Sequence, residues 1–293
     1  MTSSRLQATS VHVKFTTKAE NGDWLWAING HSGVDLYVQD AASAGQWRWA
    51  TSSGNNPGAT NGSMHKTPGG RDGTTFTATL GVMAQAEIPR NFTLYLPSRG
   101  NLHSVSVGVA PGSMAPKALA PPAPAAAAGG EKPVVVYGTS ILHGAAAGRA
   151  GMVYSSQMQR YLQKPVVNLG FSGHGLMQKE VGATISEIDA SIFVLDCEYN
   201  MDQYTPAVVE CLAYEFIKDL RAARPGASVL LVEGHDHTND WMEFSTTENS
   251  TRNAYRRAYN RVIADGDKGV FYLNGSLKLG GLIATDFEAQ AGP

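Results

Sequence analysis

Residues 111–132 interrupt the chain with a run of proline, alanine and glycine that contains almost no large apolar side chain. A stretch of this composition cannot bury a hydrophobic core, and it is typical of a semi-extended linker. The sequence therefore predicts two domains of different kinds, one over residues 1–110 and the other over residues 133–293. Both parts are long enough to form a domain with a core of its own.

The part before the linker contains short runs in which apolar and polar residues alternate between clusters of glycine, asparagine and serine. These runs cover residues 11–15, 24–27, 34–38, 76–80, 92–96 and 105–109. Such alternation is typical of antiparallel strands that have one buried and one solvent-exposed face. Because the strands are short and closely spaced, this part is predicted to be an all-β sandwich.

The part after the linker has a different hydrophobic pattern, in which continuous apolar runs alternate with segments of helical periodicity. Strands are predicted at residues 133–137, 165–169, 192–196, 229–232 and 270–273. Helices are predicted at residues 140–162, 206–223 and 247–264, and a further helix follows the glycine-rich turn after the second strand and ends at Ile188. Fully apolar strands separated by helices indicate a parallel sheet that is covered on both faces. We therefore expect a flavodoxin-like, doubly wound α/β domain, with its ligand site beyond the carboxyl ends of the strands.

Three residues that could take part in chemistry follow the first three of these strands. Ser140 follows the first strand, Gly173 lies in a glycine-rich turn after the second, and Asn200 follows the third. A hydroxyl nucleophile together with N–H donors for an oxyanion is the combination that acyl transfer requires. Taken singly, each residue has a structural explanation: Ser140 as a helix cap, Gly173 as a tight turn, and Asn200 as a cap or turn residue.

The sequence around these three residues resembles a known enzyme family. The runs Tyr137–Ile141, Asn168–Gly173 and Asp196–Met201 are similar to the first three blocks of the SGNH (GDSL-type) hydrolases. The likeness is strongest to bacterial-type members with an N-terminal β-sandwich, to which the segments Gly33–Val38 and Trp47–Trp49 are also similar. The resemblance implies an esterase or acylhydrolase that acts on small acyl esters, often acetylated carbohydrate, without a cofactor.

The resemblance also implies a role for each of the three residues. Ser140 would be the nucleophile. The backbone N–H groups of Ser140 and Gly173 and the side chain of Asn200 would form the oxyanion hole.

The general base is not assigned by the resemblance. The family's last block supplies an aspartate and a histidine three residues apart, whereas this sequence has no histidine after His237 and is expected to lack the last helix of the fold. Candidate stand-in bases or pocket residues are His235, His237, His143 and His174. Two hypotheses remain open: an esterase whose catalytic block this sequence does not contain, and an inactive domain that serves as a structural or interaction subunit of a larger assembly.

Composition excludes several other classes of function. With 23 basic and 25 acidic residues, the net charge of −2 gives no reason to expect a nucleic acid or a membrane surface as partner. No apolar run reaches the ~20 residues that a membrane-spanning helix needs. The two cysteines, Cys197 and Cys211, are too few for a disulfide framework or a cysteine-based zinc site. The first residues lack the apolar core of a secretory signal, which favours the cytoplasm or an organelle over secretion.

Overall fold

The computed structural model describes residues 2–7, 10–17, 33–39, 45–52, 74–82, 90–98, 102–111, 114–118, 131–234 and 250–275. The chain forms two compact units. The first unit consists of Met1–Ala123 and His143–Lys164, and the second of Pro124–Leu142 and Pro165–Pro293. The segment His143–Lys164 therefore groups with the N-terminal part of the chain, although it follows the first strand of the α/β part in sequence.

The first unit contains two antiparallel sheets. One sheet has the strand order β4-β3-β6-β1-β8, and the other has the order β5-β2-β7. The strands are β1 (Thr2–Gln7), β2 (Ser10–Thr17), β3 (Asp35–Gln39), β4 (Trp47–Ser52), β5 (Thr74–Val82), β6 (Arg90–Tyr95), β7 (Leu102–Val109) and β8 (Met114–Ala118). Five of the six runs predicted as strands overlap β2, β3, β5, β6 and β7, and the run 24–27 lies outside the described residues.

The apolar faces of both sheets contribute to one buried cluster. Alternate residues of β2 (Val11, Val13 and Phe15) pack there with Leu36 of β3 and with Phe92 and Leu94 of β6. Because successive side chains of a strand point to opposite faces, a period of two in the sequence puts each of these sets on one face. In β3 and β6 the opposite face is buried as well, since Tyr37 and Tyr95 pack in a second cluster with Ala150.

Strand β8 lies inside the segment that was predicted to be a linker. It pairs with β1 at the edge of the larger sheet, with Arg5 opposite Lys117. Pairing at a sheet edge uses backbone groups and needs no large apolar side chains, so composition does not reveal it. Pro116 has no N–H to donate, and an edge strand is where a sheet tolerates proline.

A buried carboxylate in β3 binds the segment His143–Lys164 within the first unit through a hydrogen bond and an ion pair. Asp35 is fully buried and accepts hydrogen bonds from the backbone N–H of Gly151 at 3.0 Å and from Trp49 Nε1 at 2.7 Å. Arg149 Nε forms an ion pair with the same carboxylate at 3.1 Å. A short 3-10 helix (Ala150–Met152) and helix α2 (Tyr154–Leu162) follow directly. The buried Asp35 is thus neutralised by a half-buried arginine, and it pairs the backbone N–H of a residue 116 positions away.

Gly151 leaves no room for a side chain beside Asp35. A Cβ atom there would lie 2.5 Å from Asp35 Oδ2 and against the ring of Tyr37. We expect Gly151→Ala to lower the free energy of unfolding by about 2–3 kcal/mol, because overpacking a buried site displaces its neighbours. Gly148→Ala is the matched control, since a Cβ at Gly148 meets no atom within 4 Å. Equal urea denaturation midpoints for the two variants would contradict this role of Gly151.

The second unit is built on a parallel sheet of five strands in the order β10-β9-β11-β12-β13. The strands are β9 (Val134–Gly138), β10 (Val166–Gly170), β11 (Ile192–Asp196), β12 (Ser228–Val232) and β13 (Val270–Leu273). The helices of this unit include α3 (Lys179–Ile185), α4 (Pro206–Ala223) and α5 (Thr251–Ala264). The predicted α/β class with a parallel sheet is confirmed. Among the described residues, no helix is both long and apolar enough to cross a membrane.

The region predicted as one helix from residue 140 to Leu162 is divided into shorter pieces. Helix α1 spans only Ser140–His143. Gly144 and Ala146 then adopt positive φ angles of 124° and 63°, which a right-handed helix does not allow. The apolar periodicity continues through this break, so it could not reveal where the helix ends.

Candidate active site

The loops that carry Ser140, Gly173 and Asn200 begin side by side at the carboxyl edge of the parallel sheet. Gly138, the last residue of β9, lies opposite Gly170 of β10 on one side and opposite Asp196 of β11 on the other. The next backbone groups continue this contact: Phe171 N donates to Gly138 O at 2.9 Å, and Thr139 N donates to Asp196 O at 3.2 Å. The three predicted residues therefore follow three adjacent strand ends.

The loop after β10 lies against the backbone that leads to Ser140. A Cβ atom on Gly175 would be 2.8 Å from the carbonyl carbon of Gly138 and 3.2 Å from Thr139 N. Only a glycine allows so close an approach, because the atoms it meets are backbone atoms that cannot move aside. The glycine-rich composition of this turn thus serves the packing of two loops at the candidate site.

Ser140 is the first residue of α1, and it does not make the capping bond of that helix. Thr139 Oγ1 accepts the hydrogen bond from Ile141 N at 3.3 Å, as an N-cap side chain does. The end of the helix is held by Asn168 Nδ2, which donates to Leu142 O at 2.7 Å. The short helix is thus fixed at both ends by other side chains, and Ser140 itself is partly exposed to solvent.

Gly173 lies at the exposed tip of the turn after β10. Its φ angle is +75°, in the region that favours glycine, and no atom lies within 4 Å of where its Cβ would be. The hydrogen bond from His174 N to Phe171 O, at 2.9 Å, closes the turn around it. The backbone of Gly173 is thereby held in a defined conformation while it remains accessible to solvent.

Asn200 is part of a 3-10 helix (Glu198–Gln203) that follows β11. Its Oδ1 accepts a hydrogen bond from Gly175 N at 3.1 Å, which ties the loop after β11 to the loop after β10. Because the amide oxygen accepts this bond, the Nδ2 group of the same side chain is the part that can donate to a ligand. This orientation is the one that an oxyanion donor would need.

Two of the four candidate histidines, His174 and His143, lie among the described residues. His174 is exposed on the turn after β10, and its carbonyl oxygen accepts hydrogen bonds from Leu176 N and from the Tyr137 hydroxyl. His143 is partly buried at the end of α1 and groups with the first unit. His235 and His237 lie outside the described residues. Among the described residues, no group of three or more His, Cys, Asp or Glu side chains is arranged to hold a metal ion.

Glu198 lies two residues before Asn200 and is buried, with 6% of its surface exposed. Its Oε2 accepts a hydrogen bond from Gly234 N at 2.9 Å. Burial, with a smaller contribution from the nearby Asp202, raises the pKa of Glu198 to about 7. The only sequence signal for this residue is its place two residues before Asn200, which does not indicate on which side of the loop it lies.

Comparison with known proteins adds a family match and a set of similar structures. Residues 131–288 match the sequence model of the GDSL-like lipase/acylhydrolase family. No curated protein matches the chain by sequence.

Three solved structures illustrate the likeness of fold. A Bacteroides ovatus protein described as a GDSL-like lipase is 24% identical, with a TM-score of 0.74 over 92% of this chain and 72% of its own. The salicylyl-acyltransferase of a tetracycline biosynthetic pathway is 15% identical, with a TM-score of 0.65 over 94% and 70%. A family two carbohydrate esterase from Clostridium thermocellum, in complex with cellohexaose, is 14% identical, with a TM-score of 0.56 over 92% and 80%. At these identities the likeness concerns the fold alone.

Proposed function

The chain belongs to the GDSL-like lipase/acylhydrolase family, and we propose that it hydrolyses small acyl esters through a covalent acyl-enzyme formed on Ser140. The main support for this proposal is the position of three loops next to one another. The loops that bear Ser140, Gly173 and Asn200 meet around the backbone of Gly138 and Thr139, through hydrogen bonds of 2.9 and 3.2 Å. A hydroxyl and two kinds of N–H donor therefore follow neighbouring strand ends, as a serine hydrolase requires.

The proposed reaction has two steps. Ser140 Oγ attacks the ester carbonyl carbon and gives its proton to a general base, while the N–H groups of Ser140, Gly173 and Asn200 Nδ2 bind the oxyanion. The tetrahedral intermediate expels the alcohol, which takes the proton from the base, and leaves an acyl group on Ser140. Water, deprotonated by the same base, then attacks the acyl carbon. The bond from this carbon to Ser140 Oγ breaks, the oxygen takes the proton from the base, and the carboxylic acid is released.

The proton acceptor in this scheme is an imidazole, because its pKa allows it to accept and return a proton near neutral pH. The candidates remain those that the sequence suggests, His143, His174, His235 and His237. His174→Ala and His143→Ala, together with a double variant of the other two, would assign the role by loss of kcat.

We propose an acetylated carbohydrate as the substrate class. The substrate proposal is supported by the carbohydrate esterase from Clostridium thermocellum, whose fold this chain shares. Release of acetate from acetylated xylan, compared with release from triacetylglycerol, would test the substrate class.

We also propose that the first unit is an all-β sandwich. This proposal is supported by the buried cluster to which β2, from one sheet, and β3 and β6, from the other, all contribute.

The experiment that tests the nucleophile is covalent labelling with a fluorophosphonate probe. We expect a single adduct, located by peptide mass spectrometry on Ser140, because only a hydroxyl next to a base and an oxyanion hole reacts at a useful rate. Prior incubation with p-nitrophenyl acetate should delay the labelling. Ser172, an exposed serine on the adjacent turn, is the internal control and should stay unlabelled. The absence of any adduct would overturn the proposal and favour an inactive subunit of a larger assembly.

A further inference from the structure

The helix that carries Asn200 also carries a buried acid that the proposed reaction does not use. Glu198 is the first residue of the 3-10 helix Glu198–Gln203, and its Oε2 accepts the hydrogen bond from Gly234 N at 2.9 Å. Gly234 follows the end of β12, the neighbour of β11 in the sheet. The carboxylate thus connects the Asn200 helix to the next strand end.

Gly234 is fitted closely to this carboxylate. A Cβ atom at this position would overlap Glu198 Oε2 and would lie 3.0 Å from Cζ of Tyr199. A residue other than glycine would therefore push the backbone N–H away from its acceptor. The contact between the helix and the end of β12 depends on a glycine at one partner and a carboxylate at the other.

The same helix is held on its opposite flank by the proposed oxyanion donor. Asn200 Oδ1 accepts from Gly175 N at 3.1 Å, on the side of β10, whereas Glu198 contacts Gly234, on the side of β12. The two side chains are two residues apart in one short helix, so a shift of one changes the position of the other. The 3-10 helix is therefore held by one hydrogen bond on either side of β11, through Asn200 on one side and through Glu198 on the other.

We propose that Glu198 is a positioning residue whose ionised carboxylate, through Gly234, holds the Asn200 amide where it can bind an oxyanion. The proposal rests on the proposed function, because it assigns Asn200 the role of oxyanion donor. An ionised carboxylate is the stronger acceptor for an N–H group, and protonation weakens this bond. Below the midpoint of the Glu198 titration the contact of the helix with Gly234 is therefore weaker, and Asn200 is held less firmly in position.

Burial and the charges around Glu198 together place this titration near neutrality. Burial raises its pKa, and the carboxylates of Asp202, on its own helix, and Glu233, at the end of β12, act in the same direction. Arg252 of α5 and the N–H of Gly234 oppose them, and the resulting pKa is about 7. Glu233 itself is paired with Arg256 at 2.8 Å and with Arg252 at 3.4 Å, so α5 neutralises most of its charge.

The first test follows backbone and side-chain amides by NMR and needs no enzymatic activity. In the full chain labelled with 15N, we expect the Gly234 amide and the Asn200 side-chain NH₂ signals to shift together with a midpoint at about pH 7. Glu198→Gln keeps an acceptor oxygen of the same size but cannot ionise, and both shifts should disappear. Glu180→Gln, which replaces an exposed glutamate on α3, is the control and should leave both titrations unchanged.

The second test removes the acceptor altogether. In Glu198→Ala the Asn200 signals should stay at their low-pH position at every pH. The kcat for p-nitrophenyl acetate should fall about tenfold at alkaline pH, whereas KM should change less than twofold, because an oxyanion donor acts in the transition state. A merely structural role would lower the folded fraction and leave kcat per folded molecule unchanged.

Two results would overturn the proposal. One is a Gly234 amide that titrates while the Asn200 signals do not follow, and the other is an Asn200 titration that persists in Glu198→Gln. The NMR measurement gives its answer even for a chain that hydrolyses no ester. Failure of the proposed function, seen as missing activity and missing adduct at Ser140, is therefore distinguishable from failure of the positioning role.

Discussion

Replacing Ser140 by alanine is expected to lower kcat/KM for p-nitrophenyl acetate by about 10⁴-fold or more. The substitution removes the atom that forms the acyl-enzyme, so only the modest catalysis of the oxyanion hole remains. The substitution should leave the fold unaffected. The capping bond of α1 is made by Thr139, and alanine is a good helix former at the partly exposed first position.

The control for this result is Ser172→Ala. Ser172 is an exposed hydroxyl on the turn after β10, directly before Gly173 in the sequence. Its rate should stay within about twofold of the wild type, since surface substitutions of this kind have small effects. Circular dichroism and the thermal unfolding midpoint would verify that both variants are folded. A Ser140→Ala variant that keeps a tenth of the wild-type rate would show that another group is the nucleophile.

Asn200→Asp is expected to lower kcat by about 10²–10³-fold with little change in KM. Aspartate keeps an oxygen that can accept from Gly175 N, as Asn200 Oδ1 does at 3.1 Å, and so retains the contact between the two loops. It lacks the Nδ2 donor, and its negative charge repels a developing oxyanion. Because the oxyanion exists only in the transition state and the intermediate, the loss appears in kcat.

Two further variants separate the donor from the loop contact. Asn200→Ala removes both, so it should lose activity and also unfold at a lower urea concentration than Asn200→Asp. Gln203→Ala removes another amide of the same helix, one that donates to the backbone oxygen of Asn200, and should keep most of the activity. If Asn200→Asp kept the wild-type kcat, Asn200 would not be the oxyanion donor.

The local pattern of the sequence predicted the second unit well. Continuous apolar runs of about five residues, such as 192–196, predicted buried strands of a parallel sheet, and that run is β11 without a change of bounds. The helix predicted at 206–223 has the same bounds as α4. The family resemblance is confirmed by the match over residues 131–288. These features are encoded by neighbouring residues, so they can be read without knowledge of the packing.

Pairings between distant residues could not be predicted in this way. The hydrogen bond between Gly151 N and Asp35 joins residues 116 positions apart, and the sequence around either residue does not predict the contact. The break after α1 depends on the positive φ angles of Gly144 and Ala146, the second of which is a good helix former by composition. Strand β8 forms through backbone pairing with β1, and the proline- and alanine-rich composition of its segment does not predict a strand.

By itself, then, the sequence determined the parallel α/β class and placed Ser140, Gly173 and Asn200 as candidates after three successive strands. It could do so because hydrophobic periodicity specifies strands and helices locally, and parallel strands carry their carboxyl ends to one edge. The tertiary structure decided that residues 143–164 group with the first unit, and that Glu198 is buried against Gly234. Burial and the pKa it raises depend on which elements pack together, and only the folded chain determines that.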